Sequence, residues 1–485
     1  MSEETTKEKL TLNRVKTYNI VPGKNSQYKL FLEWCTKAKY FYNNLVWLFN
    51  ELEKENPEVM ERYKDAIKEK TKDGKILRKF NVQTLRTIMH SYAVGDKKLV
   101  RPHQCKEVYN YEMLNNISSN IPSSICRHID QSYATVLRDR KKGKVAKLHF
   151  KRANELVKVS WKIKHGKTAG LGIKNGILYF SQKKDNKIAL ENIKLDLDKE
   201  CYRTVQLTPK QGYIQVGICY ETDLPEAPRD LKEDVYLGID LGVTNFASIV
   251  SSDGKVCSII RGGPLKSFNK HFNEEVARIQ RINAVKQNKF DEKYLVVSQR
   301  YYTSKKLKRL AMKRNNKMST FMHQASSYVV NLMIKHKLKT CIIGKNIGWK
   351  EDVCMNKTNK KIFLQIPHNL FIEKLRYKLE DRGMVLETVE ESYTSQTSAL
   401  SNEKLINYDN STDEEKKEFH KTKKGRRTKR GLFVDKKLDL AINADINGAL
   451  NIIRKKIPSV TYDLEKMSRN IFTPRKILVG EKYTL

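Results

Sequence analysis

The chain has 485 residues, and its 94 Lys and Arg against 55 Asp and Glu give a formal net charge of +39. With 39% hydrophobic residues, the composition excludes a basic disordered tail and predicts roughly two to four folded domains. No window approaches the ~18 consecutive apolar residues of a membrane span, and residues 1–10 carry no apolar signal sequence. Secretion and membrane insertion are therefore not expected. Because a polyanion neutralises such a charge most easily, nucleic acid is the expected partner.

The eight cysteines are scattered, and no two of them stand in a C-x-x-C spacing. This pattern disfavours a structural zinc site built from four thiolates. Cysteines with apolar neighbours, such as Cys341, are typical of small buried hydrophobes in a reducing compartment. We therefore expect an intracellular protein, in the cytoplasm of a bacterium or in the nucleus of a eukaryote or of a cell infected by its virus.

The first half of the chain changes from helical to strand-like patterning. A short β-like run over residues 14–21 ends at Pro22-Gly23. Apolar residues then recur at threes and fours over 27–52, which predicts a helix, and helical patterning continues, with loops, to about Arg140. Beyond a basic turn the period becomes two, which predicts the strands of a small β-domain over 156–163, 176–181, 204–208 and 213–220.

The second half begins after an acidic, proline-containing stretch. Residues 221–234 have two prolines and six acids, which predicts a linker and a new domain starting at Val235. Two apolar strands follow. We expect them to form a hairpin that turns at Asp253-Gly254 and carries Asp240 inside its first strand.

The remaining elements alternate between helix and strand. Periodicity predicts basic helices around 268–279, around 307–311 and over 320–336, then a strand over 340–343, a helix over 367–383, a strand over 384–389, a loop-rich stretch over 401–440, and a short strand and helix over 441–456. A strand hairpin followed by alternating helices and strands is typical of an α/β domain of the RNase H type.

Three acidic positions can carry metal chemistry. Asp240 lies in an apolar strand, where a carboxylate is costly to bury unless it is paired or binds a cation; capping a loop is the alternative. Asp445 opens an apolar-faced helix, where it can also act on the helix dipole alone. A third acid has to be Glu387, Glu390 or Glu391. Because a strand alternates faces, adjacent Glu390 and Glu391 cannot both enter one site. Together such carboxylates suit Mg²⁺.

Five motifs occur in order along the second half: GIDLGVTNFAS, CIIGKNIGWK, LQIPHNLFIEKLRYKLEDRG, EESYTSQTS and INADINGALNI. Together they resemble the RuvC-like nuclease domain of TnpB proteins and of their eukaryotic and viral relatives, the Fanzors. The first half is similar more loosely, through TKAKYFYNN and IPSSICRHIDQSYATVLRDRKKGKVAKLHFKR. The resemblance implies an α/β RNase H-like (RuvC) nuclease domain that lies C-terminal to a helical recognition segment and a small β-barrel-like wedge domain.

The resemblance implies an RNA-guided DNA endonuclease. A guide RNA of the omega-RNA type would pair with one strand of double-stranded target DNA, and the protein would read a short adjacent motif and cut at one metal-dependent site. We expect a monomer bound to RNA, without membrane contact. The implied segments are a wedge domain (1–26 and 151–233), a recognition segment (27–150), a nuclease domain (234–392 and 441–456), a target-loading insert without a zinc site (393–440) and a C-terminal tail (457–485).

The catalytic acids carry over residue by residue. Asp240 corresponds to the first RuvC acid and Asp445 to the last. Gly344, however, stands where many family members have the middle Glu. Some members place this acid just before a Y-T-S motif, as Glu391 stands two residues before Tyr393. The resemblance thus implies that Asp240, Glu391 and Asp445 are catalytic and bind two Mg²⁺ ions, with Mn²⁺ as a possible substitute and Asp240 as the bridge.

Two features of this assignment stay open. Glu390 is the alternative middle acid, and if both glutamates are surface charges the middle ligand is water or Asn346. The zinc ribbon that usually follows the Y-T-S motif has no cysteines here: the sequence reads TSALS over 397–401, and 401–440 contains His420 alone, so we expect no zinc. Seven of the ten residues in 421–430 are basic. This run can load substrate, act as a nuclear address or be a solvated loop.

Two rival functions have to be weighed. The GIDLG sequence also resembles the first phosphate loop of actin-like and Hsp70-like ATPases, but no second glycine-rich phosphate hairpin or adenosine pocket follows Asn346, and the charge argues against this class. A catalytically inactive RNA-guided DNA-binding protein would keep the basic surface and lose an acid, whereas all three acids are present.

Overall fold

The computed structural model separates into two compact units. Unit 1 comprises Met1–Asp223 and Tyr302–Arg309, and unit 2 comprises Leu224–Tyr301 and Leu310–Leu485. The finer division into seven segments stays a prediction. The structure describes residues 11–24, 27–54, 68–70, 76–78, 120–152, 155–163, 171–174, 177–180, 188–189, 201–210, 212–286, 304–345, 364–406, 411–429 and 431–479. No helix in this described part is long and apolar enough to cross a membrane.

Unit 1 combines antiparallel strands with two long helices. In chain order its elements are β1 (Thr11–Ile20), α1 (Tyr28–Glu53), β2 (Lys68–Lys70), β3 (Ile76–Arg78), α2 (Asn120–Lys141), β4 (Val159–Lys162), β5 (Leu171–Lys174), β6 (Ile177–Phe180), β7 (Ile188–Ala189), β8 (Tyr202–Lys210) and β9 (Tyr213–Asp223). The strands form sheets in the orders β1-β9-β8-β4, β5-β6-β7 and β2-β3.

The core of unit 1 explains these elements. The apolar stripe of α1 packs on the sheet, with Phe31 and Leu45 fully buried and the rings of Trp34 and Trp161 edge to face at 6.2 Å. The predicted helix over 27–52 and the four predicted strands are therefore confirmed. The helical patterning with loops predicted to Arg140 is wrong at one point, because β2 and β3 form an antiparallel pair within that stretch.

Unit 2 is an α/β domain. In chain order its elements are β10 (Lys232–Leu241), β11 (Asn245–Ser251), β12 (Cys257–Arg261), α3 (Gly263–Lys286), α4 (Lys305–His336, whose first turn belongs to unit 1), β13 (Leu338–Gly344), α5 (His368–Glu380), β14 (Val385–Val389), α6 (Asp413–Thr422), β15 (Gly425–Lys429), β16 (Leu432–Asp435), β17 (Leu440–Asn443), α7 (Ala444–Lys456), a 3₁₀ turn (Arg469–Phe472) and β18 (Arg475–Ile477).

The central sheet of unit 2 has the order β14-β13-β10-β11-β12-β18. Strands β10, β11 and β12 are antiparallel neighbours, whereas β13 runs parallel to β10 and β14 parallel to β13. A three-stranded meander continued by parallel strands on its first strand is the RNase H-like arrangement, so the predicted α/β RuvC-like class is confirmed. The edge strand β18 pairs parallel to β12 and was not predicted.

Several predicted boundaries in unit 2 are wrong. The turn at Asp253-Gly254 joins β11 to β12, whereas β10, which carries Asp240, meets β11 through a tighter turn at 242–244. The two helices predicted around 307–311 and over 320–336 are one continuous helix, α4. The linker over 221–234 is shorter, because β9 extends into it and β10 begins at Lys232. The stretch 401–440 contains α6, β15 and β16.

The central sheet has two differently covered faces. Leu237 and Ile239 of β10 point into a large apolar cluster with α4 and α5. The alternate residues Gly238 and Asp240 face α7, as the period of two requires. The sheet therefore presents Asp240 toward α7, the helix that carries Asp445.

Candidate active site

Asp240 lies at the end of β10, against the middle of α7. A Cβ atom at Gly448 of α7 would lie 2.8 Å from Asp240 Oδ2, so the glycine leaves room for the carboxylate. Asp240 keeps some solvent access but lies deep in the unit. Its desolvation raises its pKa well above the ordinary value, and the charges of Glu391 and Asp445 raise it further. The structure thus brings Glu391 and Asp445 close enough to Asp240 for their charges to act on it.

Glu391 enters this group from the turn that follows β14. Its carboxylate lies beside the last residue of β13, where a Cβ atom at Gly344 would be 2.6 Å from Glu391 Oε2. The carboxylate therefore occupies space that a side chain at position 344 would otherwise take. Burial raises the pKa of Glu391 to about 7; neighbouring Glu390 adds to this shift, and Lys455 opposes it.

The other two candidate glutamates are committed elsewhere. Lys455 Nζ donates to Glu390 Oε2, and the backbone N–H of Ser392 donates to Glu390 Oε1 at 2.6 Å. Burial opposes ionisation of Glu390, but these hydrogen bonds and the lysine charge lower its pKa. Glu387 forms an ion pair with Lys456 at 2.6 Å. Of the three, Glu391 is the one whose charge reaches Asp240.

Asp445 occupies the first turn of α7. The side chain of Asn443 caps this helix and accepts the N–H of Asp445 at 3.0 Å. Asn245 Nδ2 donates to Asp445 Oδ2 at 2.7 Å, and Arg427 Nη2 donates to Asp445 Oδ1 at 3.1 Å. The sequence did not single out Asn245 or Arg427 as contacts. The sequence features that point to them are the GIDLGVTNFAS motif, which contains Asn245, and the basic run 421–430, which contains Arg427.

The donor set suits a hard divalent cation. The charges of Glu391 and Asp445 raise the pKa of Asp240, and a cation would relieve this repulsion. Oxygen ligands are those that Mg²⁺ prefers. In the described residues, however, no three His, Cys, Asp or Glu side chains converge closely enough to hold a metal ion where they stand. Arg427 supplies the positive charge beside Asp445. The alternative ligand Asn346 lies outside the described residues.

Buried carboxylates organise the insert over 393–440. Asp435 is fully buried and accepts from Ser398 Oγ, from the N–H of Lys437 at 2.8 Å and from that of Leu438 at 3.1 Å. Burial opposes its ionisation, but these bonds lower the pKa of Asp435. Glu403 accepts from the N–H of Ser398 at 2.5 Å and from that of Lys424. Hydrogen bonds to Asp435 and Glu403 thus connect β16 and the residue before β15 to the TSALS segment over 397–401.

Two family models match the chain. Residues 217–350 match OrfB_IS605, described as a probable transposase, and residues 368–452 match the Cas12f1-like TNB domain. Together they include the elements that carry Asp240, Glu391 and Asp445, and they confirm the resemblance to TnpB proteins. No curated protein matches the chain.

Solved structures give only weak likenesses. A cryo-EM structure of a Cas12f1-sgRNA-target DNA complex is similar at 15% identity and a TM-score of 0.31, over 91% of this chain and all of that one. A crystal structure of an AacC2c1-sgRNA binary complex is similar at 9% identity and a TM-score of 0.35, over 88% of this chain and 70% of that one. Likenesses with TM-scores this low do not identify a function.

Proposed function

We propose that this TnpB-like chain is an RNA-guided DNA endonuclease, a phosphodiester hydrolase with one Mg²⁺-dependent site formed by Asp240, Glu391 and Asp445. The observation that carries this proposal is the position of Asp240 at one end of an RNase H-like sheet, where the charges of Glu391 and Asp445, from two other elements, raise its pKa. A buried carboxylate whose pKa is raised by burial and by neighbouring acids is typical of a functional site.

Each residue around the site has a definable task. When bound, two Mg²⁺ ions would activate the attacking water and stabilise the leaving oxygen. Asp240, whose carboxylate the charges of both other acids reach, would be a ligand of both ions. Asn245 orients the Asp445 carboxylate through its 2.7 Å hydrogen bond. Lys455 keeps Glu390 out of the site by pairing with it.

The proposed partners are a guide RNA of the omega-RNA type and double-stranded target DNA that carries a short adjacent motif. The net charge of +39 supports this, because lysines and arginines that neutralise phosphates release counterions and provide most of the affinity for nucleic acid. Binding should therefore weaken steeply with salt. We propose a monomer with its RNA, inside the cell, in the nucleus of a eukaryotic host or the cytoplasm of a bacterial one, and an insert over 393–440 that holds no zinc.

Guide-dependent cutting is the direct test. RNA that co-purifies with the protein is sequenced, and the complex is incubated with Mg²⁺ and a plasmid library in which randomised sequence flanks the complementary target. We expect cuts beside one enriched short motif and none with Asp240→Asn. Tight RNA and target binding without cutting would favour the inactive DNA-binding protein. Absence of a specific RNA, with nucleotide hydrolysis instead, would favour the ATPase.

A further inference from the structure

Helix α7 carries two buried amides that the proposed chemistry does not use. Asn447 and Asn451 stand one turn apart and have no solvent-exposed surface. Every other buried residue of this helix is apolar or glycine. An amide without hydrogen bonds in such a place would cost roughly 1–3 kcal/mol, so its partners show what it is for.

Asn447 pairs with the backbone on both sides of Ser398. Its Oδ1 accepts the N–H of Ala399 at 2.9 Å, and its Nδ2 donates to the carbonyl oxygen of Thr397 at 2.8 Å. A neighbouring β-strand would satisfy the same two groups in the same way. The side chain of Asn447 on α7 thus makes the hydrogen bonds to the Thr394–Ala399 loop that a neighbouring strand would otherwise make.

Asn451 binds the same loop nearer to its start. Its Nδ2 donates to the carbonyl oxygens of Thr394 at 2.9 Å and Thr397 at 2.7 Å, and its Oδ1 accepts from Arg454 Nη1 at 3.0 Å. The two asparagines therefore share the carbonyl oxygen of Thr397. The amide oxygen and nitrogen of both asparagines have partners, and satisfied amides are what a buried polar network needs if it is to fix one geometry.

This loop begins at Glu391. Thr394 donates to the carbonyl oxygen of Glu391 twice, from its N–H at 3.3 Å and from its Oγ1 at 2.8 Å. Thr394 is in turn held by Asn451, which lies on the same helix as Asp445. A short chain of hydrogen bonds therefore connects the backbone of Glu391 to the helix of Asp445. Between the two asparagines, Gly448 contacts the carboxylate of Asp240.

We propose that Asn447 and Asn451 are positioning residues that set the distance between the Glu391 and Asp445 carboxylates for a divalent cation. The inference rests on the proposed function, because it treats these acids as metal ligands. One helix then fixes all three acids: it carries Asp445, it packs Gly448 on Asp240, and its asparagines hold the turn of Glu391. Apolar residues at 447 and 451 could fill the volume but would leave the loop carbonyls without donors.

Metal binding to the full-length chain tests the proposal without any nucleic acid. Free Mn²⁺ is counted by electron paramagnetic resonance during titration of the parent, Asn447→Ala and Asn451→Ala. We expect the alanine variants to bind Mn²⁺ at least about tenfold more weakly, as is usual for residues that hold metal ligands in place. In guided cutting, the Mn²⁺ concentration for half-maximal rate should rise by a similar factor, with a much smaller change in the rate at saturating Mn²⁺.

Two comparison variants separate positioning from packing. Asn451→Asp keeps the shape of the side chain but has no N–H to donate, so it should bind Mn²⁺ as weakly as Asn451→Ala. Asn269→Ala removes an equally buried amide from α3, where Asn269 is 2% exposed and accepts from Arg314 Nε at 2.8 Å. It should keep the Mn²⁺ affinity of the parent even if it lowers stability.

The outcomes are distinguishable. If Asn451→Ala folds and binds Mn²⁺ as tightly as Asn269→Ala, the positioning role is wrong although the endonuclease proposal stands. If an alanine variant does not fold, Asn447→Asp, which keeps the bond from Ala399 and loses the one to Thr397, gives the same reading. If the parent itself binds no Mn²⁺, or Glu391→Ala binds it equally well, the proposed metal site is wrong whatever the asparagines do.

Discussion

The two faces of the central sheet of unit 2 are built on different principles. On one face α4 and α5 bury large apolar side chains, and the ring of Phe246 lies 5.2 Å from that of Phe321 and 5.1 Å from that of Phe371. On the other face α7 also buries apolar residues, among them Ile452 and Ile453, but its middle adds Gly448 and the amide of Asn451. The first face stabilises the sheet, whereas the second also arranges the acids.

This difference predicts different tolerance to mutation. A packed apolar face accepts exchanges that conserve volume at a cost of less than about 1.5 kcal/mol. Hydrogen bonds and close backbone approaches accept few exchanges, because each depends on one atom in one place. Mutations on the α7 face should therefore affect cutting more than stability, and mutations on the opposite face should do the reverse.

The largest effect is expected for Glu391, the acid that follows β14. Glu391→Ala should abolish detectable cutting, a loss of roughly 1,000-fold or more for an essential charge in the site, while guide RNA and target still bind. Glu390→Gln keeps an acceptor for Lys455 and Ser392 and should cut within about tenfold of the parent. Cleavage rates and filter-binding affinities measure both. The opposite ranking moves the middle acid to Glu390, and cutting by both variants refutes the relocated acid.

A second experiment moves the acid to the position common in the family. Gly344→Ala should slow cutting by about 10- to 100-fold, because its Cβ atom would lie 2.6 Å from Glu391 Oε2 and 2.7 Å from Ile452 Cδ1, so both side chains have to move. In the double variant Gly344→Glu with Glu391→Ala, the new carboxylate enters the vacated space. We expect measurable recovery of cutting over Glu391→Ala alone. A double variant as inactive as the single one would show that the two positions do not serve the same place.

Part of this fold and part of this site could be predicted from the sequence alone. Periodicity was sufficient for β13, β14 and α5, because buried apolar residues recur with the period of their element. It predicted two strands where β10, β11 and β12 form three. It divided α4, since the stretch between Ala311 and Thr320 is mostly polar, and it missed β18, which is too short to show a period. The choice of Glu391 came from its spacing to Tyr393, and its metal-binding role stays a prediction.

The contacts within the site could not be predicted from the sequence, for a physical reason. Whether Glu391 fits beside Gly344, or Arg427 reaches Asp445, depends on contacts between residues 47 and 18 positions apart. No local pattern encodes such contacts. The asparagines of α7 stood in a quoted motif, but their partners in the Thr394–Ala399 loop became visible only in the fold.

A smaller effect is expected where α7 touches β10. The Cβ atom of Gly448→Ala would lie 2.8 Å from Asp240 Oδ2, so the carboxylate or the helix has to shift by a few tenths of an ångström. We expect cutting to fall by about tenfold, since small displacements of reacting groups are costly. Gly263→Ala is the matched control, because no atom lies within 4 Å of its added Cβ. Equal rates for the two variants would contradict the close fit of Asp240 on α7.

The smallest effect concerns a polar contact between α4 and α5, in which two lysines of α5 lie against His323 of α4. Lys374 Nζ lies 2.6 Å from His323 Nε2, and Lys378 Nζ donates to the carbonyl oxygen of His323 at 2.7 Å. Burial, and then the charges of these lysines, lower the pKa of His323 to about 4. In the unfolded chain a histidine titrates near 6.5. Its neutral state therefore contributes stability that is complete above pH ~6.5 and is lost as pH falls toward ~4.

Because His323 is partly exposed, solvent screens its lysine neighbours, and the loss should stay below about 1 kcal/mol between pH 7 and pH 5. His323→Gln cannot take up a proton, so its free energy of unfolding should fall less over that interval than that of the parent. Denaturant titrations at the two pH values measure the difference, and cutting at pH 7 should be unaffected. Equal pH dependence in both proteins would mean that His323 is protonated as easily in the fold as in the unfolded chain, and that the lysines do not act on it.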